Sequence, residues 1–215
     1  MTEIDVVIYD FDGVLADTGA DIAYAVQKTQ EHYGQPVMDI PEIISYVGFG
    51  ARYLIVHALP KIPEEQYDEV LAWYKQFYFE HPIIETKLYP TVKETLEKFK
   101  AAGIPQFIVS NKPEAITKKI IKQLGVEDCF VRVFGPESLE HMKPDPEGLL
   151  KAMAIAGRNK GLMVGDTYSD IVAGKAAGIA TLGMLKGLGN PERLKEENPD
   201  FLAEELGEVF DHIII

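Results

Sequence analysis

Four short stretches carry the residues whose types and spacing could do chemistry. The first is Asp10-Phe11-Asp12-Gly13-Val14, which follows Ile4 to Tyr9, a nearly unbroken run of β-branched and aromatic residues that reads as a buried strand. Two carboxylates at a strand's carboxyl end repel each other and are costly to desolvate, so stability does not account for them. Alternation points both the same way, and Gly13 permits a sharp turn and a close backbone approach beside them. The second stretch, Ser110-Asn111-Lys112-Pro113, sets a hydroxyl and the opening amides of a helix just past another strand, an arrangement that suits an anion. Lys143-Pro144-Asp145 adds an ammonium, and Gly165-Asp166-Thr167 with Asp170, one turn along, adds two more carboxylates. Taken singly, these stretches read as an acidic turn, an N-cap or a solvated lysine, and the functional reading comes from their company in one chain.

The elements that must position them follow a clear rhythm. A helix is expected over 17–33, where Ile22, Val26, Thr29 and Tyr33 share a face, with Gly34 as its C-cap. A short helical stretch from Pro41 stops at Val47-Gly48-Phe49-Gly50, and Arg52 to Leu59 resumes it. A long helix from Pro63 places Tyr67, Val70, Leu71, Tyr74, Phe77 and Tyr78 on one apolar face and ends at His81-Pro82. Residues 15–85 therefore read as all-helical, an insertion in a chain that otherwise alternates strand and helix. Beyond Leu88, a capping box at Thr91 and Glu94 opens a helix to Ala102. Strands follow at Ile104–Val109, Phe130–Phe134, Gly161–Val164 and Ile179–Met184, separated by helices at about 114–124, 146–156 and 168–177. Weaker helices are expected near 192–196 and 202–210. This alternation over short loops implies an α/β fold with a doubly wound, Rossmann-like parallel sheet. Residues 1–14 and 86–215 would form the core and 15–85 an inserted helical cap. In such sheets ligands bind outside the carboxyl ends of the strands, and Asp10, Ser110 and Asp166 all lie at that edge.

Composition narrows the partners. The chain has 215 residues, 47% of them hydrophobic, enough for a substantial core. Its 21 basic and 34 acidic residues leave a net charge of −13, which argues against nucleic acid or an anionic membrane as partner. One cysteine, Cys129, permits no internal disulfide and reads as a small core residue. With no apolar run near 18 residues and no leader pattern, a cytoplasmic protein is expected. The carboxylate cluster calls for a hard, oxygen-ligated cation, and Mg²⁺ is the one satisfied by one or two carboxylates plus phosphate oxygens and water. The five histidines (32, 57, 81, 141 and 212) show no metal-ligand spacing, so zinc is not expected.

In this order and spacing the four stretches resemble the motifs of the haloacid dehalogenase superfamily of phosphohydrolases, over nearly the whole chain. The resemblance implies that Asp10 is a nucleophile forming an aspartyl-phosphate and that Asp12 is the acid and base. It implies that Ser110, the Asn111 amide and Lys143 hold the phosphoryl oxygens. It also implies that Asp10, the Asp12 carbonyl and Asp166 bind Mg²⁺, with Asp170 completing or orienting the shell. Dehalogenases of the superfamily lack an acid at the position of Asp12, which favours phosphoryl transfer. Val14 departs from the threonine commoner in its phosphatases, whereas Asp17-Thr18-Gly19-Ala20-Asp21-Ile22 looks like the phosphoglycolate-phosphatase branch. The cap shows neither the mutases' histidine nor a Schiff-base lysine. Specificity would come from the cap loop, with Gly50 and Arg52 meeting the substrate and Lys112 as a further contact. The expectation is a Mg²⁺-dependent phosphatase of a small phosphomonoester, phosphoglycolate first. A phosphomutase of the same superfamily is the alternative, and a non-catalytic phosphate-binding module a more distant one. Oligomeric state is not legible.

Overall fold

Val6-Val7-Ile8-Tyr9 is buried on both faces, which only the interior of a sheet covered by helices on each side allows. In the computed structural model, which describes residues 1–215, this segment is β1 (Val6–Tyr9). The other strands of its sheet are β2 (Gln106–Val109), β3 (Arg132–Phe134), β4 (Gly161–Gly165), β5 (Ala180–Met184) and β6 (Phe201–Ala203). All pair in parallel in the order β3-β2-β1-β4-β5-β6. The chain winds outward from β1 through β2 to β3, then returns to β1's other side at β4. The switch in strand order therefore opens a crevice at the carboxyl ends of β1, β2 and β4.

Alternation along β1 divides the core. Val7 and Tyr9 pack in a large cluster with Leu96 and Phe99 of α5 (Val92–Ala101) and Ile116 and Ile120 of α6 (Glu114–Gln123). Val6 and Ile8 face the other way, onto Leu149 and Met153 of α7 (Glu147–Ala156) and Ala173 of α8 (Tyr168–Ala176). Between β1 and β2 the chain forms α1 (Gly19–His32), α2 (Ile40–Ile44), α3 (Ala51–Ala58) and α4 (Tyr67–Glu80). Tyr67, Val70, Tyr74 and Tyr78 of α4 are buried, as the apolar stripe requires, while Leu71 and Phe77 are half-buried. A last helix, α9 (Pro191–Glu196), follows β5.

Some expectations need correction. The inserted segment is not free of strand: Ala16–Asp17 pairs antiparallel with Lys87–Leu88, tying the cap's entry to its exit. The Asp21 carboxylate reinforces that tie by accepting the N–H groups of Ile84, Glu85 and Thr86 and the Thr86 hydroxyl, at 2.6–3.2 Å. Thr91 forms no capping box. It sits at φ 62° and its hydroxyl accepts the N–H of Gly207 at 3.0 Å, because the C-terminal turn packs on α5. The helix expected over 202–210 is instead β6 followed by a 3₁₀ turn at Leu206–Asp211. Three residues carry too short a pattern to separate strand from helix, and pairing with β5 decides it. Cys129 is free and half-buried. No helix is long and apolar enough to cross a membrane.

Candidate active site

Asp10 follows β1 and is anchored by its own N–H, which donates to the carbonyl of Val164 on β4 at 2.9 Å. Its Oδ1 accepts the N–H of Phe11 at 2.6 Å and lies 3.1 Å from Lys143 Nζ, while Oδ2 has no hydrogen bond from the protein. Lys143 reaches on to Asp170 Oδ1 at 2.6 Å, an ion pair rather than an aligned hydrogen bond. Burial opposes the charge on Lys143, but the carboxylates of Asp10 and Asp170 outweigh it and hold its pKa above the ordinary lysine value. Asp170 also closes a capping box on α8, its Oδ2 accepting the N–H and hydroxyl of Thr167 at 3.0 and 2.7 Å. It packs so closely against β4 that a Cβ at Gly165 would come within 2.1 Å of it.

Asp166 completes an acidic cluster. Carboxylate oxygens of Asp10, Asp166 and Asp170, all buried, lie within 4.8 Å of one another. Asp166 Oδ2 accepts the N–H groups of Leu188 and Gly189 at 2.7 and 2.9 Å, whereas its buried Oδ1 has no partner. Burial, then the charges of Asp10 and Asp170, push its pKa well above the ordinary carboxylate value. Three converging hard donors, one of them a buried oxygen with nothing to bind, fit a divalent cation. The backbone accommodates this only through small residues: a Cβ at Gly13, where φ is +80°, would lie 2.0 Å from Asp166 Oδ2, and one at Gly187 2.2 Å from it.

On the cap side, Asp12 Oδ1 accepts the Thr18 hydroxyl at 2.6 Å, and both its oxygens face Lys112 Nζ, at 3.0 and 3.3 Å. The same ammonium donates to the Tyr78 hydroxyl of α4 at 2.8 Å. Burial lowers the pKa of Lys112 although the Asp12 carboxylate opposes the shift. Ser110 follows β2 and is held there by its N–H, which donates to the Phe134 carbonyl at 3.0 Å. The Asn111 N–H has no backbone acceptor, which leaves it free for an anion. Its side chain does other work: Nδ2 donates to the carbonyls of Gly48 and Lys143 at 2.9 and 3.1 Å, and Oδ1 accepts the Lys143 N–H at 3.1 Å. One amide thus stitches the cap loop to the lysine loop.

Asp10, Asp12, Ser110, Asn111, Lys112, Asp166 and Gly50 all line one cleft between core and cap, with Lys143 and Asp170 buried beside Asp10. Its free interior is about 40 Å³, and it adjoins a larger cavity of about 540 Å³ that shares Val47, Gly48, Thr167, Leu188 and Gly189 with it. Arg52 is not brought there. It pairs with Asp68 on the exposed outer surface of the cap, because it lies on the solvent face of α3. Three contributors escape sequence reasoning: Tyr78, hidden in an aromatic stripe; the side-chain role of Asn111; and the loop Gly187-Leu188-Gly189. The loop did carry a signal, a Gly-x-Gly at a strand's carboxyl end.

Comparison with known proteins agrees with this architecture. A family model described as haloacid dehalogenase-like hydrolase matches residues 7–184. A phosphoglycolate phosphatase of Vibrio parahaemolyticus is 33% identical over 99% of this chain and 97% of its own. One of Aquifex aeolicus is 37% identical over 91% and 90%. A crystal structure described as a predicted phosphoglycolate phosphatase from Haemophilus somnus superposes with a TM-score of 0.91 at 26% identity, covering 98% of each chain. With the motifs, the strand order and the inserted cap in place, the chain belongs to the haloacid dehalogenase-like hydrolases.

Proposed function

We propose that this protein is a phosphatase acting on a small phosphomonoester through an aspartyl-phosphate on Asp10, with Mg²⁺ as its cofactor. The observation that carries the reading is the convergence at Asp10. Phe11 N–H and Lys143 fix one carboxylate oxygen and leave the other unengaged, beside a cluster of acids that fits a cation. The phosphatase names of its relatives support the reaction class, a phosphoric monoester hydrolase with a small-molecule substrate.

In the first half-reaction Asp10 Oδ2 attacks phosphorus, and the bond from phosphorus to the leaving oxygen breaks. Asp12 gives that oxygen its proton. Ser110, the Asn111 N–H and Lys143 hold the phosphoryl oxygens, and Lys143 also aims Asp10 by pairing with its Oδ1. In the second half Asp12 takes a proton from water, the hydroxide oxygen bonds to phosphorus, and the bond to Asp10 breaks, restoring the carboxylate. Asp10, Asp166 and the Asp12 carbonyl would hold Mg²⁺, with Asp170 orienting the shell. The ion, when bound, neutralises charge on the phosphoryl group.

The test is inorganic phosphate release from a panel of small phosphomonoesters, phosphoglycolate included, with Mg²⁺ and with EDTA. Release that EDTA abolishes is expected, together with a loss of about 10³-fold or more in Asp10→Asn at unchanged circular dichroism. Release indifferent to EDTA, or an active Asp10→Asn variant, overturns the proposal.

A further inference from the structure

The cleft has two unlike ends. The phosphoryl end is acidic and polar, whereas the cap end is walled by Ile22, Val47, Ala51 and Leu54 with the rings of Tyr46 and Tyr74. Lys112 lies between them and supplies the only cationic side chain among the lining residues. Its side chain is 3% exposed, and Tyr78 holds it from the cap both by a 2.8 Å hydrogen bond and with its ring centroid 4.4 Å away. Asp12 presents two oxygens to it, at 3.0 and 3.3 Å. One N–H needs only one of them, so another can turn to a substrate without breaking the pair.

We propose that Lys112 is the specificity-determining residue and that its ammonium receives the carboxylate of a short, anionic leaving group such as glycolate. This rests on the phosphatase reading above. Two features of the cleft favour such a group over a sugar. The apolar cap wall offers few partners to a set of hydroxyls, and a buried anion requires a counter-charge that only Lys112 can supply. Arg52, the other cation near the cap loop, is turned away onto Asp68.

The experiment compares kcat/KM for phosphoglycolate and for 2-hydroxyethyl phosphate, equal in length but neutral at the far end, in the wild type, Lys112→Met and Lys112→Arg. The ratio of the two is the readout, because any effect of Lys112 exerted through Asp12 falls on both substrates alike and cancels. The wild type is expected to prefer the carboxylate by about 100-fold, the size of one buried contact to a charged group. Lys112→Met should bring the ratio to within a few-fold of one, and Lys112→Arg should retain part of it. If Lys112→Met does not fold, Tyr78→Phe, which removes only the hydroxyl that steadies the ammonium, should lower the ratio several-fold. A wild-type ratio near one overturns the proposal while leaving the phosphatase standing, and so does a ratio that survives Lys112→Met or Tyr78→Phe. No release from either substrate while another member of the panel is hydrolysed overturns this proposal alone, and no release from any member overturns the phosphatase reading with it.

Discussion

Replacing Asp166 with asparagine should stabilise the metal-free protein while abolishing its response to Mg²⁺. Asp166 shares a space of at most 4.8 Å with Asp10 and Asp170, and its Oδ1 has no partner. At that separation two unit charges repel by at least about 3.5 kcal/mol at an effective dielectric of ~20. Lys143, paired with Asp10 and Asp170, offsets part of this. Asparagine keeps an oxygen for the N–H groups of Leu188 and Gly189 and removes the charge. A net gain of about 2 kcal/mol is expected, or roughly 4–8 °C in Tm for a chain of this length.

The pH dependence has a definite sign. Burial and the neighbouring carboxylates raise the pKa of Asp166 in the folded state. The folded protein therefore binds that proton more tightly than the unfolded chain does. The associated stability is complete below the ordinary carboxylate range and is lost as pH rises through the folded value. The advantage of the Asp166→Asn variant should accordingly grow with pH. Mg²⁺ at 100 times its Kd should restore about 2.7 kcal/mol to the wild type, roughly 5–10 °C in Tm, and nothing to the variant. Differential scanning fluorimetry of both proteins in EDTA and in Mg²⁺, at pH 5 and pH 8, reads each of these shifts. A variant less stable than the wild type in EDTA, or one that keeps the Mg²⁺ shift, would refute the account of Asp166 as a strained cation ligand.

Three further outcomes are expected. Arg52→Ala should leave kcat, KM and Tm essentially unchanged, because an exposed ion pair contributes about 0–1 kcal/mol; a raised KM in steady-state kinetics would return Arg52 to the substrate. Asp21→Ala strips the acceptor from three N–H groups and a hydroxyl at the cap's exit. It should cost roughly 3 kcal/mol, a fall of roughly 6–12 °C in Tm measurable by thermal melting. Gly187→Ala would drive a methyl to within 2.2 Å of Asp166 Oδ2, so it should cost about 1–3 kcal/mol and weaken the thermal response to Mg²⁺.

Local pattern suffices for the α/β class, five of the six sheet strands and the inserted helices. Each of these depends on local periodicity: continuous apolar runs for buried strands and a 3.6-residue stripe for α4. It also indicates which residues cluster, because Asp10, Ser110 and Asp166 each directly follow a strand and strand ends share one edge. Lys143 was placed by its motif alone. The sixth strand escaped because Phe201-Leu202-Ala203 is too short for periodicity, and only pairing with β5 makes it a strand. The capping box expected at Thr91 does not form, because its hydroxyl answers to Gly207, more than a hundred residues away.

The partnering of the charges is a property of the folded chain alone. Arg52 and Lys112 are both cations near the cap loop or the phosphate loop, and nothing local distinguishes them. Helix α3 turns Arg52 toward solvent and Asp68, while packing of α4 over the cleft brings Tyr78 onto Lys112. The same holds for Asp166, whose clasp by Leu188 and Gly189 depends on β4 and β5 lying side by side. Side-chain type and order along the chain say which chemistry is available. Which group pairs with which depends on long-range packing, because electrostatic partners are set by distance in space and by burial, and neither is written locally.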